Sequence, residues 1–223
     1  MAPYKKAKYQ FSKEELKTLL YDYNREIGAL PADRPKEAFI WDETLRDGEQ
    51  TPSIFLTIDE KIKIAQKLDE VGTTKIAAGF PAVSSRERES VKAINSIGLS
   101  RSKVLGIARP RIDDIDACMK CDLDEIVLFM PISDLMLKIL HETKESELEH
   151  IQSAFDYAKS HGLRFNWVSE DSTRAQPDHF LNVYQLAIDN GALCIVLSDT
   201  VGILQPERSE EHKSELQSPN TIS

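Results

Sequence analysis

The strongest constraint in this chain is an alternation. Short apolar runs are separated by stretches whose apolar residues recur at helical spacing, and the cycle repeats between residues 38 and 199. The runs are AFIWD (38–42), TTKIAA (73–78), KVLGIA (103–108), DEIVLFM (124–130), LRFNWV (163–168) and LCIVLSD (193–199). Their length and β-branched content predict six buried strands. Between them, Thr57-Ile-Asp-Glu60 is a capping box that opens a helix running to about Val71 and stopping at Gly72. SSRERESVKAINSI (84–97) and RIDDIDACMK (111–120) read as helices, and Leu148, Ile151, Phe155 and Ala158 share one face of a long helical region. PDHFLNVYQLAIDN (177–190) has Pro177 in its first turn and Gly191 past its end, as a helix should. Apolar strands alternating with amphipathic helices imply right-handed βαβ units and a parallel sheet.

Two α/β architectures satisfy that pattern, an open doubly wound sheet and a β/α barrel. A dinucleotide-binding sheet needs G-x-G-x-x-G after its first strand. Here the first strand is followed by LRDGEQTP, which disfavours it. Polar residues gather at the C-terminal ends of the predicted strands: Asp47 and Gln50, Arg109, Ser133 and Asp134, Glu170 and Asp171, Asp199 and Thr200. A barrel enzyme places its chemistry on that rim. Helix capping accounts for Ser133 and Asp134, but not for an Arg46–Asp47 pair directly after a strand. The net charge of −9 argues against nucleic acid as a partner, and the longest apolar run is too short for a membrane span. Three cysteines and an N-terminus without an apolar signal core point to a reducing cytoplasm. Cys118 and Cys121 form a single C-x-x-C with no His nearby, so they read as ordinary thiols at a helix end.

The segment Asp42-Glu-Thr-Leu-Arg-Asp-Gly-Glu-Gln50 resembles the first-strand motif of the metal-dependent acyl-CoA condensing enzymes and lyases. These are the isopropylmalate, homocitrate and citramalate synthases and hydroxymethylglutaryl-CoA lyase. Ala78-Gly-Phe-Pro81, Ser133-Asp134, Ser169-Glu-Asp-Ser-Thr-Arg174 and Ser198-Asp-Thr-Val-Gly202 resemble later motifs of that family in the same order. The resemblance implies a partial (β/α)8 TIM barrel, about six of its eight βα units, over residues 38–207. It also implies an acyltransferase that condenses acetyl-CoA with a 2-oxo acid, helped by Mg, Mn or Zn acting as a Lewis acid. By the same resemblance Asp47 is the metal carboxylate, and Arg46 stabilises developing negative charge. Glu170 sits at the reacting centre, and Gln50, Arg109 and Thr200 bind substrate. A homo-oligomer is implied for the parent protein. A lyase running the reverse cleavage and a non-catalytic homologue are the alternatives, although Glu49-Gln50-Thr51-Pro52 leans towards the synthases.

The chain departs from the family pattern at identifiable positions. Ala77 stands where the family usually has Glu, Val127 where a His is common, and Val168 where a Ser is common. These changes imply an altered 2-oxo-acid preference, and they motivate the non-catalytic alternative. The family takes two further metal ligands from an H-x-H, yet none of His141, His150, His161, His179 and His212 forms one. Residues 1–37 read as an N-terminal helical extension and linker, opened by the capping box Ser12-Lys-Glu-Glu15. Arg208 to Ser218 resembles the conceptual translation of a common sequencing adapter. Residues 208–223 are therefore expected to be a non-native tail, with the genuine sequence stopping near Glu207 and the chain as given inactive.

Overall fold

A computed structural model describes residues 38–204 together with Ser12. The expected N-terminal helix and the expected adapter-derived tail lie outside the described residues. The ordered elements follow the alternation closely. Strands β1 (Trp41–Asp42), β2 (Lys75–Gly79), β3 (Lys103–Ala108), β4 (Glu125–Pro131), β5 (Arg164–Glu170) and β6 (Ile195–Leu197) are separated by helices. These are α1 (Ile58–Val71), α2 (Ser85–Ser96), α3 (Ile112–Met119), α4 (Asp134–Leu140), α5 (Lys144–Ser160) and α6 (Pro177–Asp189). The strands lie in the order β1-β2-β3-β4-β5-β6, and every neighbouring pair is parallel. The sheet curls into an incomplete barrel clad by the helices.

Local chemistry explains the boundaries. Thr57 and Glu60 form the expected capping box, and Gly72 ends α1 at φ 90°. Ser84 and Ser133 accept backbone N–H bonds from Glu87 and Met136 and so cap α2 and α4. The predicted long helical region is two helices, because His141 takes a left-handed conformation and Thr143 starts a new capping box. The first strand is shorter than AFIWD predicts: only Trp41 and Asp42 pair with β2, while Phe39 and Ile40 are exposed.

The pleat of the strands separates two interiors. On β5, Phe165 and Trp167 point to the helices, whereas Asn166, Val168 and Glu170 point inside the curl. The outer layer is the larger core. Trp167 is fully buried there, edge-on to Phe155, and Phe155 stacks on Phe165 with ring centres 4.5 Å apart. Cys118 and Cys121 belong to this layer as the ordinary thiols expected. Burial pushes both thiols up, that of Cys121 to about 11, so neither is a reactive thiolate at neutral pH.

The inner layer changes character along the strands. At the N-terminal mouth Lys75 Nζ bonds Glu125 Oε1 at 2.8 Å and Asn166 Oδ1 at 2.6 Å, and it lies over the Trp41 ring. Asn166 also donates to Glu125, closing a polar triad. Above it Ala77, Leu105, Ile107 and Val127 form a small apolar cluster with Trp41, Phe129 and Val168 against it. Lys75 is the close ion partner of the buried Glu125, with Arg164 Nη2 farther off at 3.6 Å, so removing the ammonium leaves the carboxylate poorly paired. Lys75→Met should therefore cost about 3 kcal/mol of folding stability, read by denaturant unfolding. Val83→Ala, at an exposed position, should change it by less than about 0.5 kcal/mol.

Candidate active site

Four of the polar residues at the C-terminal strand ends, Asp47, Gln50, Glu170 and Thr200, converge on one cavity of about 760 Å³. Its wall carries Arg46, Asp47, Gln50, Glu170 and Thr200, five of the six side chains predicted from the sequence. The floor is the apolar inner layer, with Val127, Val168 and Val196 between Trp41 and Phe129. Two of the three departures from the family pattern, Val127 and Val168, therefore line the cavity. The third, Ala77, packs in the cluster beneath it.

Arg46 and Asp47 sit on a tight turn after β1. The Glu43 carbonyl accepts N–H bonds from Arg46, Asp47 and Gly48, at 3.1, 2.8 and 3.0 Å. Arg46 Nη1 bonds Asp47 Oδ1 at 3.0 Å, and its guanidinium lies 6.0 Å above the Phe129 ring. The Arg46 side chain is half-buried, but Asp47 is 63% exposed. The acid is thus open to a ligand, while the guanidinium is held in place by the ring and the ion pair.

Glu170 and Asp171 behave differently although adjacent. Glu170 lines the cavity. Arg174 pairs with Asp171 through two bonds of 2.6 and 2.8 Å. Asp171 is buried and left-handed at φ 57°. It accepts the Ser133 hydroxyl at 2.5 Å, and its N–H donates to Thr200 Oγ1 at 2.8 Å. The bonds from Arg174, with that from Ser133, hold its carboxyl below the usual carboxylate range against desolvation. Asp171 is thus a hub that joins the loops after β4, β5 and β6, and Thr200 reaches the cavity through it. Asp199 accepts the N–H groups of Ile203 and Leu204 and so shapes the turn behind Thr200.

Arg109 is the predicted residue that the fold sets apart. It makes a two-bond pair with Asp114 at 2.7 and 3.0 Å and lies over Phe80. It lines a second cavity of about 580 Å³, which shares Phe129 and Glu170 with the first.

Sequence reasoning did not single out Glu43. Its carboxyl lines the main cavity, its Oε2 is buried without a hydrogen bond, and Arg46 lies 3.9 Å away. Desolvation pushes this carboxyl up, and Arg46 opposes the shift. The only signal was its place inside the nine-residue motif. As for a divalent ion, no group of three or more His, Cys, Asp or Glu side chains among the described residues is placed to hold one. Asp47 is a single hard oxygen donor, so the described residues do not by themselves fit such an ion.

The comparisons with known proteins decide the family. The HMGL-like family model matches residues 38–219. The chain belongs to the HMGL-like family. It is 44% identical over 174 residues to homocitrate synthase AksA of Methanothermobacter thermautotrophicus, covering 78% of this chain and 44% of that protein. It is 40% identical over 193 residues to 2-isopropylmalate synthase of Methanocaldococcus jannaschii, covering 84% of this chain and 37% of that one. The chain thus spans under half the length of these curated relatives. A solved HMG-CoA lyase from Brucella melitensis superimposes with a TM-score of 0.67 at 21% identity, over 81% of this chain and 68% of that chain. At that identity the likeness shows the fold alone, and it agrees with an incomplete barrel. No helix among the described residues is long and apolar enough to cross a membrane.

The raised Glu43 carboxyl has a defined signature. A carboxyl raised in the folded state contributes stability that is present below its unfolded value and lost as pH rises through the folded one. Thermal melts from pH 4 to 8 should show the wild-type chain losing stability with rising pH relative to Glu43→Gln. Parallel curves for the two chains would mean that Glu43 is not raised.

Proposed function

We propose that the protein is a synthase that condenses acetyl-CoA with a 2-oxo acid. The observation that carries this reading is the convergence of Arg46, Asp47, Gln50, Glu170 and Thr200 on one cavity, in a chain 40–44% identical to homocitrate and isopropylmalate synthases. In the reaction a proton leaves the methyl group of acetyl-CoA, and the resulting carbanion adds to the oxo carbon. Water then cleaves the thioester and releases the CoA thiol.

Each group has a role that its surroundings suit. The guanidinium of Arg46, permanently charged and held by Asp47 and Phe129, stabilises the negative charge that develops on oxygen. Gln50 and Thr200 orient the oxo acid. Glu170 and Glu43 are the cavity carboxylates that can hold substrate or share a proton, and desolvation raises Glu43, which makes it the better base. In the proposed whole enzyme Asp47 would be one ligand of a divalent metal, which would supply Lewis acidity when bound. Since Asp47 alone cannot hold it, the 223-residue chain by itself is proposed to be inactive. Homo-oligomerisation and a cytoplasmic location complete the proposal.

The synthase direction is favoured over the lyase because relatives at 40–44% identity are synthases, whereas the lyase likeness, at 21% identity, is one of fold. The apolar floor of Val127, Val168 and Val196 favours one second reading, a homologue that binds without catalysis. One assay separates them. The source DNA is resequenced across the Glu207 codon and its full product expressed. Thiol release from acetyl-CoA is then followed with pyruvate, a branched 2-oxo acid and 2-oxoglutarate in Mg, Mn or Zn. Release should require both the oxo acid and the metal, and Arg46→Gln should lower kcat roughly 10²- to 10³-fold. A full product that carries an H-x-H and releases no thiol with any oxo acid would sink the synthase reading in favour of the binding homologue.

A further inference from the structure

We infer that Lys61 is a positioning residue: its buried ammonium, clamped between Glu49 and Glu87, locks the loop that carries Arg46, Asp47 and Gln50 to the turn after β2. Lys61 lies on α1, and its side chain is only 3% exposed. Its Nζ is 2.5 Å from Glu49 Oε2 and 3.1 Å from Glu87 Oε2. An ammonium is rarely buried unless it is paired, so both acids are drawn to this one point.

Each acid uses its second oxygen to hold a different loop. Glu49 Oε1 accepts the Leu56 N–H at 3.1 Å, closing the segment that begins with the Arg46–Asp47 turn. Glu87 Oε1 accepts the Phe80 N–H at 3.2 Å. Gly79 permits that approach, because a Cβ there would lie 2.0 Å from Glu87 Oε1. Phe80 in turn lines the main cavity. The chain of bonds therefore runs from Leu56 through Glu49, Lys61 and Glu87 to Phe80, and it connects two walls of one site through an ion that touches neither the cavity nor any ligand. Without the ammonium, two carboxylates would face each other unneutralised, and both loops would loosen together.

This inference goes beyond the proposed reaction, and its test does not use activity, so either can fail without the other. Amide hydrogen exchange is measured on the full 223-residue chain and on Lys61→Met, Lys61→Arg, Glu49→Gln and Glu87→Gln. A brace predicts effects that cross between loops. Glu87→Gln should speed exchange at Leu56, and Glu49→Gln should speed it at Phe80, each roughly tenfold. Lys61→Met should release both amides, Lys61→Arg should keep both slow, and amides of β4 and β5 should be unchanged. If each Gln variant alters only its own loop, or neither, the brace is wrong. It is equally wrong if Lys61→Arg releases both amides. Should Lys61→Met unfold the whole chain, the two Gln variants still decide.

Discussion

Parallel strands turn alternate side chains to opposite faces, and a curled parallel sheet must therefore furnish two interiors from one set of strands. Most features of this protein follow from how that demand is met. The outward positions are mostly apolar and build the large core against the helices, with Trp167, Phe155 and Phe165 in it and Ser169 satisfied by the Trp167 N–H. The inward positions cannot be uniform, because one end of the curl faces solvent and the other end carries the site. They grade from the Lys75–Glu125–Asn166 triad, through an apolar cluster, to Glu43 and Glu170.

The site sits where strand ends and loops meet, so its geometry depends on how the loops are tied down. Two ties do most of this. Asp171, buried and left-handed, gathers Ser133, Arg174 and Thr200. Lys61 gathers Glu49 and Glu87. Both are charged groups satisfied by several partners, which gives directional restraint that apolar packing cannot. Glu170, next to Asp171, and Gln50, next to the Lys61 partner Glu49, line the cavity.

Much of the fold was legible because strand and helix periods differ and their boundaries carry capping signals. Thr57, Gly72 and Pro177 act where local chemistry says they should. Two local readings missed. The helical region after β4 breaks at His141, which has no glycine to announce its left-handed turn. The first strand is short because pairing with β2 engages only two of its residues. Five of the six predicted site residues meet in one cavity, because motifs at strand ends are carried to one rim by the parallel topology. Arg109 is held apart from them by Asp114, whose carboxylate, five residues on at the start of α3, takes both its backbone N–H and its guanidinium.

By itself the sequence determined the alternation, and with it the parallel order, the division into outward and inward faces, and the family that the nine-residue motif points to. These are local or periodic properties, encoded within a few residues of where they act. Tertiary structure alone decided which charged groups are buried and which distant ones meet: that the Glu43 carboxyl is desolvated, that Lys75 meets Glu125, and that Lys61 reaches two acids from different loops. An ion pair depends on distance and solvent exclusion, and neither exists until elements far apart in the chain are packed side by side.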